Sequence, residues 1–431
     1  MTKKLEEKFK ETEIELIPEE WNIFSFGEVA DINPKRELKK GNNSKFVTMA
    51  SIKTFTKKVS NYSYKEFSGG SKFKNGDTLM ARITPCLENG KTSYVDFLEN
   101  NEVAGGSTEF IVLSGKDKVS DSNFVYYLTT SSMVREAAIK AMTGTSGRQR
   151  VENDKFSNFL VSLPSLNEQR KIAEILSSLD DKIELNRKIN DNLEKIASAL
   201  FKRWFVDFEF PDKDGKPYKF NRGKIVDSES GEIPSGWKFS FIGRELKTFL
   251  GGTPSRANNE YWNNGIIPWI NSGAINDFPV MEPSQYITAD GLRNSAAKLM
   301  PIKTVVLPFV ISVGKNINIS ILGLESSGNQ SVLGVVGNEK IKAEYAYYWI
   351  NNIKDKIYAC ATGGAQQHIN KSNVDESEIL IPSDDIIKKF EYIAEPIFDL
   401  LILNSKELLK LSNLRNSLLP RLMSGKIRVN L

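Results

Sequence analysis

The feature that most constrains this chain is an internal duplication with a period of about 218 residues. The string IPEEW at Ile17–Trp21 recurs as IPSGW at Ile233–Trp237, and Pro164-Ser165 recurs as Pro382-Ser383. Solenoid repeats are far shorter, at about 20–50 residues. Two like halves in one polypeptide can instead imitate a two-fold dimer, and dimers often bind two half-sites. The sequence therefore predicts two related globular halves with pseudo-two-fold symmetry.

Composition places the chain among soluble globular proteins of several domains. It has 431 residues, a net charge of +4, two cysteines (Cys86 and Cys360) and one histidine, His368. So few cysteines and histidines argue against a disulfide framework or a structural metal site, and they fit a reducing cytoplasm. The charged N-terminus and the lack of a long apolar run predict neither a signal peptide nor a membrane span. The net charge permits a basic surface without demonstrating one.

Both halves show the same order of predicted elements, which is four β-prone runs with Gly-rich breaks and then a helix. The runs of the first half lie at 46–52, 78–83, 93–97 and 108–113, with a helix at 123–142. Those of the second half lie at 266–270, 304–311, 317–324 and 331–336, with a helix at 344–358. This order predicts two mixed, mainly β domains of an α/β (α+β) fold.

A long amphipathic helix is predicted after each half. The first begins with a capping box, in which Ser165 and Glu168 satisfy free backbone N–H groups. Leu and Ile then recur every three or four residues to about residue 200, and the same stripe returns 218 residues later. Such stripes predict an antiparallel, coiled-coil-like pair. Asn186 and Asn404 interrupt the stripe at equivalent positions, either paired in the seam or facing solvent. Pro396 should bend or break the second helix.

These patterns divide the chain into five segments, two of them globular. The predicted segments are a first domain (1–164), a first helix (165–210), a surface linker (211–232), a second domain (233–382) and a second helix (383–431).

Catalytic motifs are not evident in the sequence. His368 has no acidic sequence context for nucleophilic catalysis, and Ser312–Lys315 is too short for a phosphate-binding loop. The string Ile32–Lys35 lacks the second proline and the aromatic residue of an adenine methyltransferase motif. The sequence therefore favours a binding protein.

Three pairs of polar, Gly-rich loops have the composition of nucleic-acid readers, with cations for phosphates and Arg or Gln for base edges. They occupy matching places in the two halves but differ in sequence, as RQR against QQH shows. This divergence predicts two domains that read two unlike half-sites. The candidate residues are Arg82, Lys91, Ser107, Thr108, Arg148, Gln149 and Arg150 in the first half, and Lys315, Asn316, Asn329, Gln330, Gln366, Gln367 and His368 in the second.

Together these strings resemble the specificity (S) subunits of type I restriction-modification systems. The resemblance covers nearly the whole chain. It rests on the IPEEW/IPSGW pair, on the helix start PSLNEQRKI at Pro164–Ile172 and on the helix endings Ala199–Phe208 and Leu418–Val429. The second helix start, PSDDIIKKF at Pro382–Phe390, departs from the pattern because it lacks the Glu-Gln pair.

The resemblance implies two target recognition domains that bind the two parts of a split, asymmetric sequence in double-stranded DNA. It implies helices that set the gap, and a non-catalytic role beside two modification (methyltransferase) subunits and the restriction subunits. S-adenosylmethionine would bind the former, and ATP and Mg the latter, with no cofactor on this chain. Partner contacts are expected at conserved helix positions, which are Glu168, Gln169, Ile172, Arg203 and Arg421. The alternatives are a coiled-coil scaffold without sequence-specific DNA binding and a free-standing DNA-modifying enzyme.

Overall fold

The computed structural model describes residues 9–14, 16–145, 147–312, 317–362 and 366–430. The chain forms two compact units: Met1–Leu185 with Lys410–Leu431, here unit 1, and Asn186–Leu409, here unit 2. Each unit contains one copy of the repeat together with a part of each long helix. The mixed α/β class with two β-rich domains and two long helices is therefore confirmed.

Unit 1 contains short strands and short helices. Its strands are Phe9–Glu11, Leu16–Pro18, Asn22–Ser25, Ala30–Ile32, Asn43–Val47, Ser63–Glu66, Ser71–Phe73, Thr78–Ala81, Thr92–Tyr94, Ala104–Gly106, Phe110–Gly115, Met142–Thr143, Arg150–Val151 and Leu160–Leu163. Its short helices are Phe26–Val29, Ser122–Thr130, Ser132–Lys140 and Asn153–Ser157, with a 3-10 turn at Met49–Ser51.

Unit 2 is built in the same way. Its strands are Ile225–Ser228, Gly231–Pro234, Lys238–Phe241, Lys247–Leu250, Ile267–Ile270, Gln285–Ile287, Val305–Pro308, Val310–Ser312, Ser320–Ile321, Ser327–Gly328, Val332–Val336, Gln366–His368 and Glu378–Ile381. Its helices are Ile242–Glu245, Ala289–Arg293, Ala343–Ala359 and Lys371–Asp375, with 3-10 turns at Asn259–Tyr261 and Ser272–Asn276.

The sheets of the two units repeat one topology. In unit 1 an antiparallel sheet has Phe110–Gly115 between Ala30–Ile32 and Thr78–Ala81. In unit 2 Val332–Val336 lies in the same way between Lys247–Leu250 and Val305–Pro308. Because the strand order is the same, the duplication seen in the sequence is a duplication of the fold.

A parallel strand pair in each unit corrects one prediction about glycine. Gly105 and Gly106, expected to break the chain, lie in a buried strand that pairs in parallel with Asn43–Val47. Ser327–Gly328 pairs in parallel with Ile267–Ile270 in unit 2. A Cβ at Gly105 would press on the rings of Phe67 and Phe46, so the missing side chain permits close packing here.

The helix predicted at 123–142 is in fact two helices, Ser122–Thr130 and Ser132–Lys140. Ser131 between them has extended backbone geometry, and its Oγ accepts a hydrogen bond from the N–H of Val134 at 3.4 Å. It therefore caps the second helix. The equivalent helix of unit 2, Ala343–Ala359, is continuous.

The two long helices are Leu166–Phe201, followed by a π-helical turn at Lys202–Val206, and Asp384–Met423. The predicted break at Pro396 does not occur, since the second helix continues through it. Proline removes only its own N–H bond to the preceding turn, and Phe390, Ala394 and Phe398 on either side are fully buried in unit 2. Among the helices of the described residues, none is both long and apolar enough to cross a bilayer.

Polar side chains line the seam between the long helices. In unit 2 the amide of Asn186 donates to Glu407 at 2.7 Å, and that of Asn404 donates to Asn190 at 3.0 Å. The solvent-facing alternative is wrong, because Asn186 and Asn404 are 1% and 9% exposed. They do not pair with each other, however, but each with a different residue. Because the earlier asparagine pairs with the later residue, the helices run antiparallel in this unit.

The segment expected to be a surface linker, 211–232, belongs to unit 2 and is partly folded. Ile225–Ser228 and Gly231–Pro234 form an antiparallel hairpin, as Phe9–Glu11 and Leu16–Pro18 do in unit 1. The ring of Tyr218 stacks on Phe210 at a centroid distance of 4.5 Å. The hairpin is thus a further repeated element rather than a tether.

Candidate nucleic-acid interface

Three of the polar loops predicted from the sequence meet in unit 1. The Arg82 N–H donates to the Glu109 carbonyl at 3.0 Å, and the Val151 N–H donates to the Arg82 carbonyl at 2.9 Å. The Thr84 N–H donates to the Gln149 carbonyl at 3.1 Å. These backbone bonds join the ends of loops that are distant in sequence. The candidate side chains are therefore carried on a common backbone frame.

An ion pair holds the hairpin that carries Arg148 and Gln149. The Arg150 guanidinium donates to both carboxylate oxygens of Glu109, through Nε at 3.0 Å and Nη2 at 2.7 Å. The hydrogen bond from Arg150 lowers the pKa of Glu109 from its ordinary value of 4.5. Bidentate pairing of this kind fixes orientation as well as charge. Arg150 is consequently engaged as a support, whereas Arg148 beside it is exposed.

The remaining candidates of unit 1 differ in availability. Thr108 is exposed, but the Ser107 hydroxyl accepts a hydrogen bond from the Glu109 N–H at 3.2 Å. The Lys91 ammonium donates to the Met49 carbonyl at 2.9 Å and is half-buried, so it supports a loop. Arg148, Thr108 and the half-buried Gln149 are thus the predicted side chains with the freest surface.

A basic groove of about 580 Å³ lies beside these loops. Four cationic side chains, from Lys35, Arg36, Lys72 and Arg82, contribute to it, and as far as the chain is described no carboxylate lines it. Its complete lining is Asn33, Pro34, Lys35, Arg36, Gly70, Ser71, Lys72, Arg82, Thr108, Phe110 and Val112.

Of the groove cations, the sequence analysis named only Arg82. A usable signal exists in the repeat, since Asn33–Arg36 (NPKR) and Thr253–Arg256 (TPSR) share a Pro-x-Arg core 220 residues apart. The Arg36 guanidinium donates through Nη2 to Asp77 at 3.0 Å, and the Asp77 side chain is fully buried. Arg36 is therefore fixed at the groove by an ion pair that the sequence spacing does not indicate.

The candidate loops of unit 2 repeat the hairpin frame with other side chains. His368 pairs antiparallel with Val310, as Arg150 pairs with Ile83 in unit 1. His368 is exposed and contacts the ring of Phe309, and Gln367 is half-buried. Gln366 lies in the same strand. Lys315 and Asn316 lie outside the described residues.

The second loop group of unit 2 is organised by two tryptophans. The Asn329 side chain accepts a hydrogen bond from the Ser331 N–H at 3.1 Å, and the exposed Gln330 accepts one from the Thr253 hydroxyl at 2.5 Å. Arg256, exposed, lies 3.5 Å from the ring centroid of Trp262 and 5.2 Å from that of Trp269. Arginine stacked in this way keeps its donors available in the ring plane.

The proposed partner residues fall into two groups. Arg203 and Arg421 are exposed. Glu168, Gln169 and Ile172 are 3%, 1% and 0% exposed, so their side chains have no surface for a partner as they stand. This burial corrects the expectation of a direct contact at these three positions.

The Glu-Gln pair is occupied within unit 1. Glu168 accepts hydrogen bonds from the Trp21 indole at 3.3 Å and from Arg428 at 2.8 Å and 3.2 Å. Gln169 donates to the carbonyls of Val119 and Pro164, both at 3.0 Å. The Glu168 N–H donates to Ser165 Oγ at 3.3 Å, which is one half of the predicted capping box. The pair therefore ties the helix start to the domain.

The missing Glu-Gln pair of the second repeat has a physical explanation. A shift of 218 residues brings Glu168 onto Ile386, Arg428 onto Phe210 and Trp21 onto Trp237. Ile386 is 4% exposed, and Phe210 stacks on Trp237 at 4.9 Å. A polar triad (Trp21, Glu168 and Arg428) in unit 1 is thus replaced by an apolar triad (Trp237, Ile386 and Phe210) in unit 2.

Within the described part of the chain, no group of three or more His, Cys, Asp or Glu side chains is placed to hold a metal ion. The arrangement defines a two-domain binding protein, in which duplicated frames present unlike polar loops.

The chain belongs to the family described as "Type I restriction modification DNA specificity domain", which matches residues 18–195 and 234–412. It is a specificity subunit of a type I restriction-modification system. It is 27% identical to the type I restriction enzyme MjaIX specificity subunit of Methanocaldococcus jannaschii, over 98% of this chain and 97% of that protein. It is 26% identical to the HindI specificity subunit of Haemophilus influenzae, over 95% and 100% of the two chains.

A solved structure supports the fold. The crystal structure of the type I restriction-modification S subunit from M. genitalium aligns with a TM-score of 0.54 at 16% identity, covering 95% of this chain and 96% of that one.

Proposed function

We propose that each repeat of this specificity subunit reads one part of a split, asymmetric DNA target. The observation that carries the proposal is the hairpin after each sheet, which has one frame and two chemistries. Arg148 and Gln149 stand in one hairpin, and Gln367 and His368 in the other. Arginine pairs best with guanine and glutamine with adenine, so two such hairpins would select different bases.

We propose further that the chemistry of restriction and modification resides on partners. Two methyltransferase subunits would bind S-adenosylmethionine, and restriction subunits would bind ATP and Mg, while this chain carries no cofactor and acts in the cytoplasm. An exposed apolar stripe on the second long helix supports assembly with a partner helix. Tyr392, Leu400 and Leu403 are 83%, 40% and 62% exposed, with Pro396 between them at helical spacing. Such a stripe suits helix docking.

The test is to map adenine methylation in a host that expresses the chain with a methyltransferase partner. A two-part motif is expected. Arg148→Ala should relax bases in one part, and Gln367→Ala bases in the other, with the gap unchanged. Lys118→Ala is a suitable control, because Lys118 is an exposed cation of unit 1 outside the groove and the loops. Methylation without a motif, or one variant relaxing both parts, would contradict the proposal.

The two alternatives predict other outcomes in the same experiment. A coiled-coil scaffold would assemble with the methyltransferase without selecting bases. A free-standing enzyme would methylate DNA when expressed without the partner. A split motif that requires the partner would exclude both.

A further inference from the structure

The basic groove of unit 1 contains polar groups whose bonding is incomplete. Buried polar atoms of Arg36 (Nε), Arg82 (Nε) and Ser71 (Oγ) have no hydrogen-bond partner within the described residues. Native proteins contain few such atoms, and each calls for a cause such as a ligand that completes the site. Here three of them occur in the lining of one groove.

The two guanidinium groups are anchored from one side only. The hydrogen bonds that the described residues provide all use Nη2, from Arg36 to Asp77 and Ser114, and from Arg82 to the Val151 carbonyl at 3.2 Å. The Lys72 ammonium lies 5.5 Å from the Phe67 ring centroid, a contact that leaves its charge available. Donors held in this way are positioned to share an anion with little loss of side-chain entropy.

The recessed position of these donors favours phosphate over a base edge. The Arg36 side chain is only 16% exposed. Base edges lie at the bottom of DNA grooves and require a protruding side chain, whereas phosphates project from the duplex and can enter a groove in the protein. The exposed Arg148 suits the first task, and the groove suits the second.

We propose that the groove lined by Arg36, Ser71, Lys72 and Arg82 binds a backbone phosphate of the DNA and anchors unit 1 independently of sequence. The anchor would set the position of the duplex while the hairpin at Arg148 reads bases. This inference rests on the proposed function, because it assigns the groove to the same DNA.

The backbone of the groove also restricts its shape. Gly70 has a φ of +127°, and a Cβ there would collide with the Gly106 carbonyl oxygen. The wall next to Ser71 is therefore bare backbone, which leaves room for a phosphate group close to the hydroxyl.

The experiment measures DNA affinity of the assembled specificity–methyltransferase complex as a function of KCl, for target and non-target duplexes. Lys72→Gln is compared with Lys74→Gln, a matched loss of charge two residues away at an exposed position outside the groove. Losing one phosphate contact should lower the slope of log K against log salt by about 0.9, and weaken binding roughly eightfold at about 0.1 M salt, equally on both duplexes. Lys74→Gln should leave the slope unchanged.

Ser71→Ala provides a second variant that keeps the charge. It should weaken both duplexes alike and leave the methylated motif intact. Equal slopes for Lys72→Gln and Lys74→Gln, or a Lys72→Gln loss confined to the target duplex, would overturn the anchor.

Free phosphate is the other source of the same chemistry, and a competition arm separates it. Chloride is exchanged for inorganic phosphate at constant ionic strength. The anchor predicts the same Lys72→Gln slope change in either salt. Thermal stabilisation by phosphate that disappears in Lys72→Gln, with no change in DNA slope, would assign the groove to a small anion and refute the proposal. If the wild-type complex shows no target preference, the proposed function fails first, and the slope comparison still tests the groove.

Discussion

Replacing Arg428 should weaken unit 1 specifically, because this residue neutralises a buried carboxylate. The Glu168 side chain is 4% exposed and receives two hydrogen bonds from Arg428 and one, longer, from Trp21. In Arg428→Met the carboxylate would keep only the indole N–H at 3.3 Å. Methionine retains most of the aliphatic contact, so the change isolates the charge.

The magnitude follows from the burial of the two partners. Removing one member of a buried ion pair costs about 3–5 kcal/mol, because the other charge is left uncompensated. The Arg428 side chain is 25% exposed, so water can replace part of the lost bonding. A destabilisation of about 2–3 kcal/mol is therefore expected for unit 1.

The second repeat supplies the rescue. Its apolar triad, Trp237 with Ile386 and Phe210, occupies the equivalent positions without any charge. Glu168→Ile combined with Arg428→Phe would copy that triad into unit 1. The double variant should lie within about 1 kcal/mol of the wild type, because well-packed apolar groups commonly replace a buried ion pair at little cost. Glu168→Ile alone should be destabilising, since it leaves the Arg428 guanidinium half-paired.

Hydrogen exchange measured peptide by peptide is the suitable assay, because a chain of two units need not unfold in one step. Peptides covering 17–25 and 160–176 should lose protection in Arg428→Met and regain it in the double variant. Peptides of unit 2 around 343–359 are the internal reference. An Arg428→Met effect below about 0.5 kcal/mol, or a double variant as unstable as the sum of the single ones, would refute the argument.

Three further expectations concern other contacts. Asn404→Leu should cost unit 2 about 1–2 kcal/mol by removing the donor to Asn190 at 3.0 Å, as seen in exchange of helix peptides. The Glu109–Arg150 tie should be present above pH 4.5 and be lost as the pH falls through the lowered pKa of Glu109, so hairpin protection should decrease there and not in Glu109→Gln. Leu403→Asp should reduce methyltransferase binding at least tenfold in pull-down titrations, while Lys182→Asp, on the equivalent polar face of the first helix, should not.

The order of elements could be predicted because it depends on local patterns. Helical spacing of Leu and Ile identified both long helices, and the repeat identified the duplicated domains. The errors have local causes as well. Ser131 divides a helix because its hydroxyl competes as a cap, and Gly105-Gly106 is a strand because neighbouring rings need the space. Pro396 leaves the helix unbroken because tertiary packing outweighs one lost hydrogen bond.

The site was harder to predict because its residues are joined across long sequence distances. Arg36 reaches the groove through Asp77, and the sheet brings Gly70–Lys72 beside Arg82. A single sequence gives no sign of these pairings. Arg150 illustrates the opposite error, since its composition suggested a base reader whereas its bond to Glu109 makes it a support.

The two triads argue that conservation of position and conservation of chemistry are separate in this molecule. Trp21 and Trp237 hold the same place, yet one meets a carboxylate and the other an aromatic ring. A buried ion pair offers no clear gain in stability over apolar packing. Its directional bonds instead fix the Arg428 side chain against the helix start, which apolar contacts do less strictly. The polar triad is therefore better explained as a constraint on geometry in unit 1 than as a source of its stability, and the Glu168→Ile, Arg428→Phe variant separates the two. If stability returns while the motif part read by Arg148 is relaxed, orientation is what the triad provides.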